Sequence, residues 1–493
     1  MSFENCCDKA AQKIKYMALP FFSTLIMGLC CHMFMLTNKI SFGGDVSGIF
    51  EKGATYISGR WGLELVKWLM PDISMPWFNG LFSLVLLSLA VCVIIELFGI
   101  QNRVMQLLLG GMIICFPAQS ATVCYMFTCA PYALSLLMAV AAVYIYENWA
   151  SKLRWLVSGL LLIFSCSIYQ GYFAFAASFC VIIMIKELLE KKDAKAVFMH
   201  GVKMLLMLIV SVAIYGVTVP LAAKLAGLPI IDAINDEQSI FLRFAVAYSA
   251  YLKTLFAGYF GYVHSLPSVL FHTVLIGVTG FVIIIKLRRH GDIAAWLLTG
   301  LCLFLFPLSC YCLYMLADNS YIHSLALYSF ASVYVLCICI LDDQDILPVK
   351  DIAAVCLALI MAGNVYYSNS WYLRNYLRFE EVKSLYSSVV TELVNTPGFD
   401  ENTSLAIVGA SPALVYDMDQ NFDFDKLLTP SLDIASIDYA QLIISRYLGF
   451  DIPFASLEET AALADDVRVQ EMKRFPYDGS VQKIDDYVVV KFS

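Results

Sequence analysis

A chain of 493 residues that is 60% apolar and only 15% charged, with a mean hydropathy of +0.74, is too hydrophobic for an ordinary soluble domain. Its apolar runs recur at about 20 residues, the length that crosses a bilayer as a helix, whereas a membrane barrel would show alternating segments of about ten. The net charge of −8 is the opposite of a nucleic-acid footprint, so no nucleic-acid partner is expected.

The first residues are mostly polar and precede an apolar segment of full spanning length, with no small-x-small cleavage site after it. We read that segment as an uncleaved first span. Eleven spans are expected, at 18–37, 77–98, 104–118, 131–147, 155–169, 171–186, 203–222, 266–286, 293–316, 322–341 and 351–369. Tyr169-Gln170-Gly171-Tyr172 marks a tight turn between two short spans, or a bend within one helix.

Charge orients these spans. With the N-terminus inside, the inner segments carry 15 Lys and Arg, against 7 in the two long outer loops, 38–76 and 223–265. This is the positive-inside bias, and an odd span count then puts the C-terminus outside. Both outer loops mix apolar and charged residues, at 48–70 and 236–253, as helices lying in the membrane interface do.

The chain divides by charge into a membrane domain, 1–369, and a domain 370–493. The latter holds 10 Lys and Arg against 20 Asp and Glu, leaving 22 against 20 in the former. This acidic part is expected to be an extracytoplasmic α/β domain. Leu405-Ala-Ile-Val408 followed by Gly409 has the pattern of a buried strand, Tyr439–Tyr447 is helix-like, and Tyr487-Val-Val-Val-Lys-Phe492 is a terminal strand. All 16 cysteines lie between Cys6 and Cys356. Cys310-Tyr-Cys312 and Cys337-Ile-Cys339 lack zinc spacing, so neither a metal nor another cofactor is expected.

Candidate chemistry gathers after the first span, in Phe42-Gly-Gly-Asp45 and Ser58-Gly-Arg60-Trp61. A carboxylate there can take the proton of an attacking hydroxyl, and at the membrane edge it escapes most of the ~2.5–3.5 kcal/mol cost of mid-bilayer burial. Position alone also allows Asp45 to be a solvated residue in a glycine-rich turn. Arg60 can hold two oxygens of a lipid phosphate, or snorkel beside Trp61 in an aromatic belt. Arg243, Lys253 and His264 in the second outer loop can contact a substrate or simply end helices, as can Asp318, Asn319 and His323. Glu96, near the inner end of its span, has a structural reading.

These two motifs, the Ile407-Val-Gly409-Ala turn and the ending Phe475-Pro-Tyr-Asp-Gly-Ser480-Val-Gln-Lys-Ile-Asp-Asp-Tyr-Val-Val-Val-Lys-Phe resemble the GtrII family of bacterial glucosyltransferases over essentially the whole chain. The resemblance implies a GT-C-like polytopic α-helical membrane protein that modifies O-antigen or a related surface polysaccharide. It implies a polyprenyl-phosphate sugar as donor, a cell-surface glycan as acceptor, and transfer on the outer face of the cell membrane. Asp45 occupies the place of the family's acidic base, and this chain has Gly44-Asp45 where the family often shows paired acids. The substrate-binding residues would be Arg60, Trp61, Arg243, Lys253 and His264. The alternative is a transporter or flippase for a lipid-linked glycan, which would need mid-membrane charges and related halves; such charges are scarce.

Overall fold

The computed structural model describes residues 3–40, 59–67, 69, 73–227, 239–256, 266–312, 315, 324–342, 347–400, 402–409 and 440–492. Asp45, His264, Asp318, Asn319 and His323 lie outside them, and of Lys253 only the backbone is described. The described part is mainly helical and falls into two units, Met1–Thr37 with Gly53–Ser370, and Asn38–Lys52 with Trp371–Ser493.

The first unit starts with α1 (Phe3–Thr37) and the short α2 (Gly62–Val66). Then come α3 (Pro76–Phe98), α4 (Arg103–Ile114), α5 (Pro117–Cys124), α6 (Met126–Asn148), α7 (Arg154–Ile168), α8 (Phe173–Leu189) and α9 (Ala194–Ala226). After α10 (Ile240–Phe256) follow α11 (Leu266–His290), α12 (Ile293–Cys310), α13 (Ser332–Asp342) and the first part of the long α14 (Leu347–Asn395), whose residues from Trp371 on belong to the second unit.

Eight of these helices are long and apolar enough to cross a membrane, and α4 with α5, bent by 47°, is a ninth if the pair forms one broken span rather than a re-entrant loop. The protein is a polytopic helical membrane protein. An expected total of eleven further requires the shorter apolar helices Arg154–Ile168 and Leu327–Asp342 to cross. The chain breaks where local chemistry demands it. Pro117 at the start of α5 cannot donate into the ladder of α4. A 3-10 turn at Gln170–Tyr172 separates α7 from α8, so two helices form there rather than one. Asn102, Asp193 and Asp292 cap α4, α9 and α12 with their side chains, satisfying backbone N–H groups that have no partner inside a helix.

Helices in lipid gain little from hydrophobic exclusion and approach closely through small residues. A Cβ on Gly110 would stand 2.0 Å from Thr24 Oγ1, and one on Gly28 would stand 2.6 Å from the Ile114 side chain. These two glycines bring α1 and α4 together. Around them α3 packs on α6 and α1, α6 on α7, and α8 on α12. The Asp342 carboxylate accepts from the Gln101 and Asn102 N–H groups at 2.8 and 3.0 Å and so pins the turn between α3 and α4.

The last expected span ends at 369, but α14 runs on to Asn395. Its 49 residues are about 73 Å long, over twice the ~30 Å hydrocarbon thickness. The sequence from Trp371 to Asn395 is more polar yet has no glycine or proline, so the helix continues until Pro397-Gly398.

In the second unit, strands form at the two apolar runs noted in the sequence: β1 (Ser404–Val408) and β3 (Tyr487–Lys491) pair in parallel. A third strand, β2 (Val481–Ile484), joins β3 through a two-residue turn with Asp485 at φ 52, giving the order β1-β3-β2. Ala406, Val408, Ile484 and Val489 form the core with Leu463 of α15 (Leu457–Ala464) and Val469 of α16 (Val467–Glu471). Outside this core, Arg468 bridges Asp466 and Asp485 at 2.8 and 2.6 Å, which holds both carboxyls below their usual range.

Candidate functional site

Gly59, Arg60 and Trp61 enter α2 over the end of α7, and two glycines make this possible. Gly59 adopts φ +71, and a Cβ there would meet the Tyr215 hydroxyl at 2.9 Å. Gly62 opens α2 against Ser167: a Cβ there would lie 2.2 Å from its Oγ and 2.9 Å from its carbonyl carbon. Since Ser167 backbone cannot yield cheaply, Gly62→Ala should push α2 away and shift Arg60. We expect a stability loss of about 1–3 kcal/mol from the overpacking, read as a fall in thermal midpoint. An unchanged midpoint would contradict this close approach.

Hydrogen bonds then hold the segment. Gln170 Nε2 donates to the Tyr215 hydroxyl at 2.7 Å, and that hydroxyl donates to the Gly59 carbonyl at 2.9 Å. The Trp61 indole N–H donates to Thr218 Oγ1 at 3.0 Å, and its ring lies 6.4 Å from Phe164. Trp61 therefore uses its only polar atom as an anchor on α9, leaving just its ring for a ligand.

Arg60 projects into a tyrosine cage. Its Nη1 donates to the Tyr132 hydroxyl at 2.9 Å, and its guanidinium carbon lies 5.8 and 5.3 Å from the Tyr132 and Tyr169 rings. Those rings stack on each other at 4.3 Å. Ser135 donates to the Ser165 carbonyl at 2.9 Å and so ties α6, which carries Tyr132, to α7. The Nε of Arg60 is buried with no hydrogen-bond partner, and no carboxylate among the described residues pairs with the guanidinium. A cation enclosed by π faces, with a donor unused, is an anion-binding arrangement. This is a different setting from the snorkelling reading, in which the head group would be in water.

The other expected site residues are not brought to Arg60 by any described contact. Arg243 donates through Nη1 to the Met315 carbonyl at 2.9 Å, and α10, which carries it, packs on α11 and α12.

Sequence reasoning missed the cage itself. Tyr132 and Tyr215 stand 72 and 155 positions after Arg60, and the available signal was only that each is a polar-tipped residue in an apolar span. It also missed Gln119, fully buried on α5, both of whose amide atoms lack a hydrogen-bond partner. Interrupted helices such as α4–α5 supply polar groups at membrane depth where a protein needs them.

One set of described residues has the reach to hold a metal ion: Glu147, Glu187 and His200. They lie at the far end of α6, about 22 Å beyond Tyr132. His200 faces Glu147 through Nε2 and Glu187 through Nδ1, both at 3.0 Å, and Lys192 approaches Glu187 at 2.8 Å. Each ring nitrogen meets a different carboxylate, the geometry of an ion-pair bridge among three helices. A metal could enter only by taking one nitrogen from its carboxylate.

Comparison with known proteins adds one positive finding. A family model described as Glucosyl transferase GtrII matches residues 33–341, more than half of the chain and including the whole Arg60 cage. No curated protein and no solved structure matches it.

Proposed function

The chain belongs to the GtrII family of glucosyltransferases, and from that premise we propose that it transfers glucose from a polyprenyl-phosphate donor to a cell-surface polysaccharide on the outer face of the cytoplasmic membrane. That it is a glycosyltransferase of glycan modification follows from the family. The donor, the face and the residue roles are our reading.

The observation that carries this reading is the uncompensated Arg60 guanidinium in its tyrosine cage. A lipid-linked sugar reacts at a carbon bonded to phosphate, and the leaving group gains negative charge as that bond breaks. Arg60 would bind the phosphate and stabilise this charge, most strongly in a site from which water is excluded. Asp45 would take the proton of the acceptor hydroxyl as its oxygen attacks the anomeric carbon. Polyprenyl phosphate departs, and a single displacement inverts the anomeric configuration.

Polyprenyl phosphate, the product and a donor fragment, tests the assignment of Arg60 on the purified protein. It should quench or shift Trp61 fluorescence and compete with the sugar donor, whereas a nucleotide sugar should do neither. Competition by the nucleotide sugar alone would contradict the lipid-donor reading. For the face, a reporter active only in the cytoplasm, fused after Ser493, should stay silent. A strong cytoplasmic signal would put the C-terminus inside and remove the outer-face topology.

A further inference from the structure

The second unit carries a groove of about 330 Å³ between one face of α14 and the turn after the π-helical stretch Leu442–Tyr447. That volume lies at the small end of the range for small-molecule sites, roughly 300–1,000 Å³. Ser387, Thr391 and Asn395 line it at successive helical turns, with Val390 and Val394 between them. Leu448 and Phe450 form the facing wall.

The facing wall is shaped by unusual backbone. The wide helical turns end with Leu448 N–H on the Ile443 carbonyl and Phe450 N–H on the Ile444 carbonyl, at 2.8 and 3.0 Å. Ile443 and Ile444 are fully buried and anchor the turn. Gly449 at φ +78 then reverses the chain and leaves Phe450 42% exposed at the groove. Wide turns of this kind concentrate at functional sites. Opposite, the Thr391 hydroxyl donates to the Ser387 carbonyl and the Asn395 amide N–H to the Thr391 carbonyl, both at 2.9 Å. The Thr391 hydroxyl hydrogen and one of the two Asn395 amide hydrogens are thus engaged within the helix. The Thr391 oxygen and the Asn395 Oδ1 remain as acceptors for hydroxyl donors of a ligand.

Charge narrows the ligand further. This unit has 20 acidic residues against 10 basic ones from residue 370 onward, yet no charged side chain lines the groove. An anionic ligand would find repulsion around it and no cation within it. An aromatic face, flanking methyl groups and a row of acceptors match a neutral sugar ring, which has an apolar C–H face and a rim of hydroxyls.

We propose that this groove is a binding subsite for the acceptor glycan, with Phe450 stacking on a neutral sugar and Asn395 and Thr391 accepting from its hydroxyls. The proposal rests on the reading above that the acceptor is a surface polysaccharide. The test uses the full-length protein and neutral oligosaccharides released from the surface polysaccharide of the cells that make it. Saturation-transfer NMR without donor should show their binding to the wild type. Phe450→Ala should lose it, and Phe450→Tyr, which keeps the ring, should retain it. In transfer assays Phe450→Ala should raise the acceptor KM about tenfold and leave the donor KM as it is. A wild type that binds no oligosaccharide, or a Phe450→Ala protein that binds and transfers with unchanged acceptor KM, overturns the subsite. Oligosaccharide binding lost in Phe450→Ala would uphold it even if no lipid-linked sugar were turned over, so failure of the transfer reading shows separately.

Discussion

Replacing Asp45 with asparagine should lower transfer by roughly 10²–10⁴-fold, the usual contribution of a general base, while the protein still inserts and folds. Asparagine keeps the size and much of the hydrogen bonding of aspartate but cannot accept a proton at neutral pH. The expectation comes from the place of Asp45 after the first span and from the family to which the chain belongs. Initial rates of the purified variant at saturating donor and acceptor decide it. Because the loss lies in the chemical step, kcat should fall while the donor KM changes little. A variant within a fewfold of the wild type would make Asp45 a solvated turn residue and require another base.

Arg60→Ala should cost transfer about 10²–10³-fold, the size seen when one preorganised donor to a developing anion is removed from a dry site. Lysine in the same place could keep the cation within the Tyr132 and Tyr169 rings. It would lose the planar fork that holds two phosphate oxygens, so Arg60→Lys should fall between alanine and wild type. Both variants should act on the donor and leave the acceptor KM alone. If Arg60→Ala leaves donor binding and kcat untouched, Arg60 only braces α2 against α6. The aromatic cage makes a control available. Tyr132→Phe removes the hydroxyl that accepts from Nη1 at 2.9 Å but keeps the ring, and it should have a much smaller effect than Arg60→Ala.

Much of the architecture was legible because it depends on local composition. Apolar runs marked the spans, and Leu405–Val408 and Tyr487–Phe492, rich in β-branched residues, marked the paired strands. Where the sequence misled, hydropathy and helix formation had separated. Hydropathy falls after Ser370 and suggests an end, but nothing there breaks a helix, and α14 continues. At Pro117 the helix breaks and turns by 47°, within two residues of the expected span end at 118. The site was legible only as single residues. Arg60 and Trp61 stand out as polar groups after a span, but Tyr132, Tyr169 and Thr218 come from three other places in the chain. No periodicity encodes such a meeting. The same holds for His200 between Glu147 and Glu187, which belong to three different helices.

The most direct measurement is transfer by the purified protein in proteoliposomes. Polyprenyl-phosphate glucose and nucleotide-activated glucose are offered separately with the surface glycan, and products are read by mass spectrometry. The account predicts a glucosylated glycan and released polyprenyl phosphate from the lipid donor alone, with the product lost in Asp45→Asn and Arg60→Ala. Glucosylation from the nucleotide sugar with none from the lipid donor would contradict it.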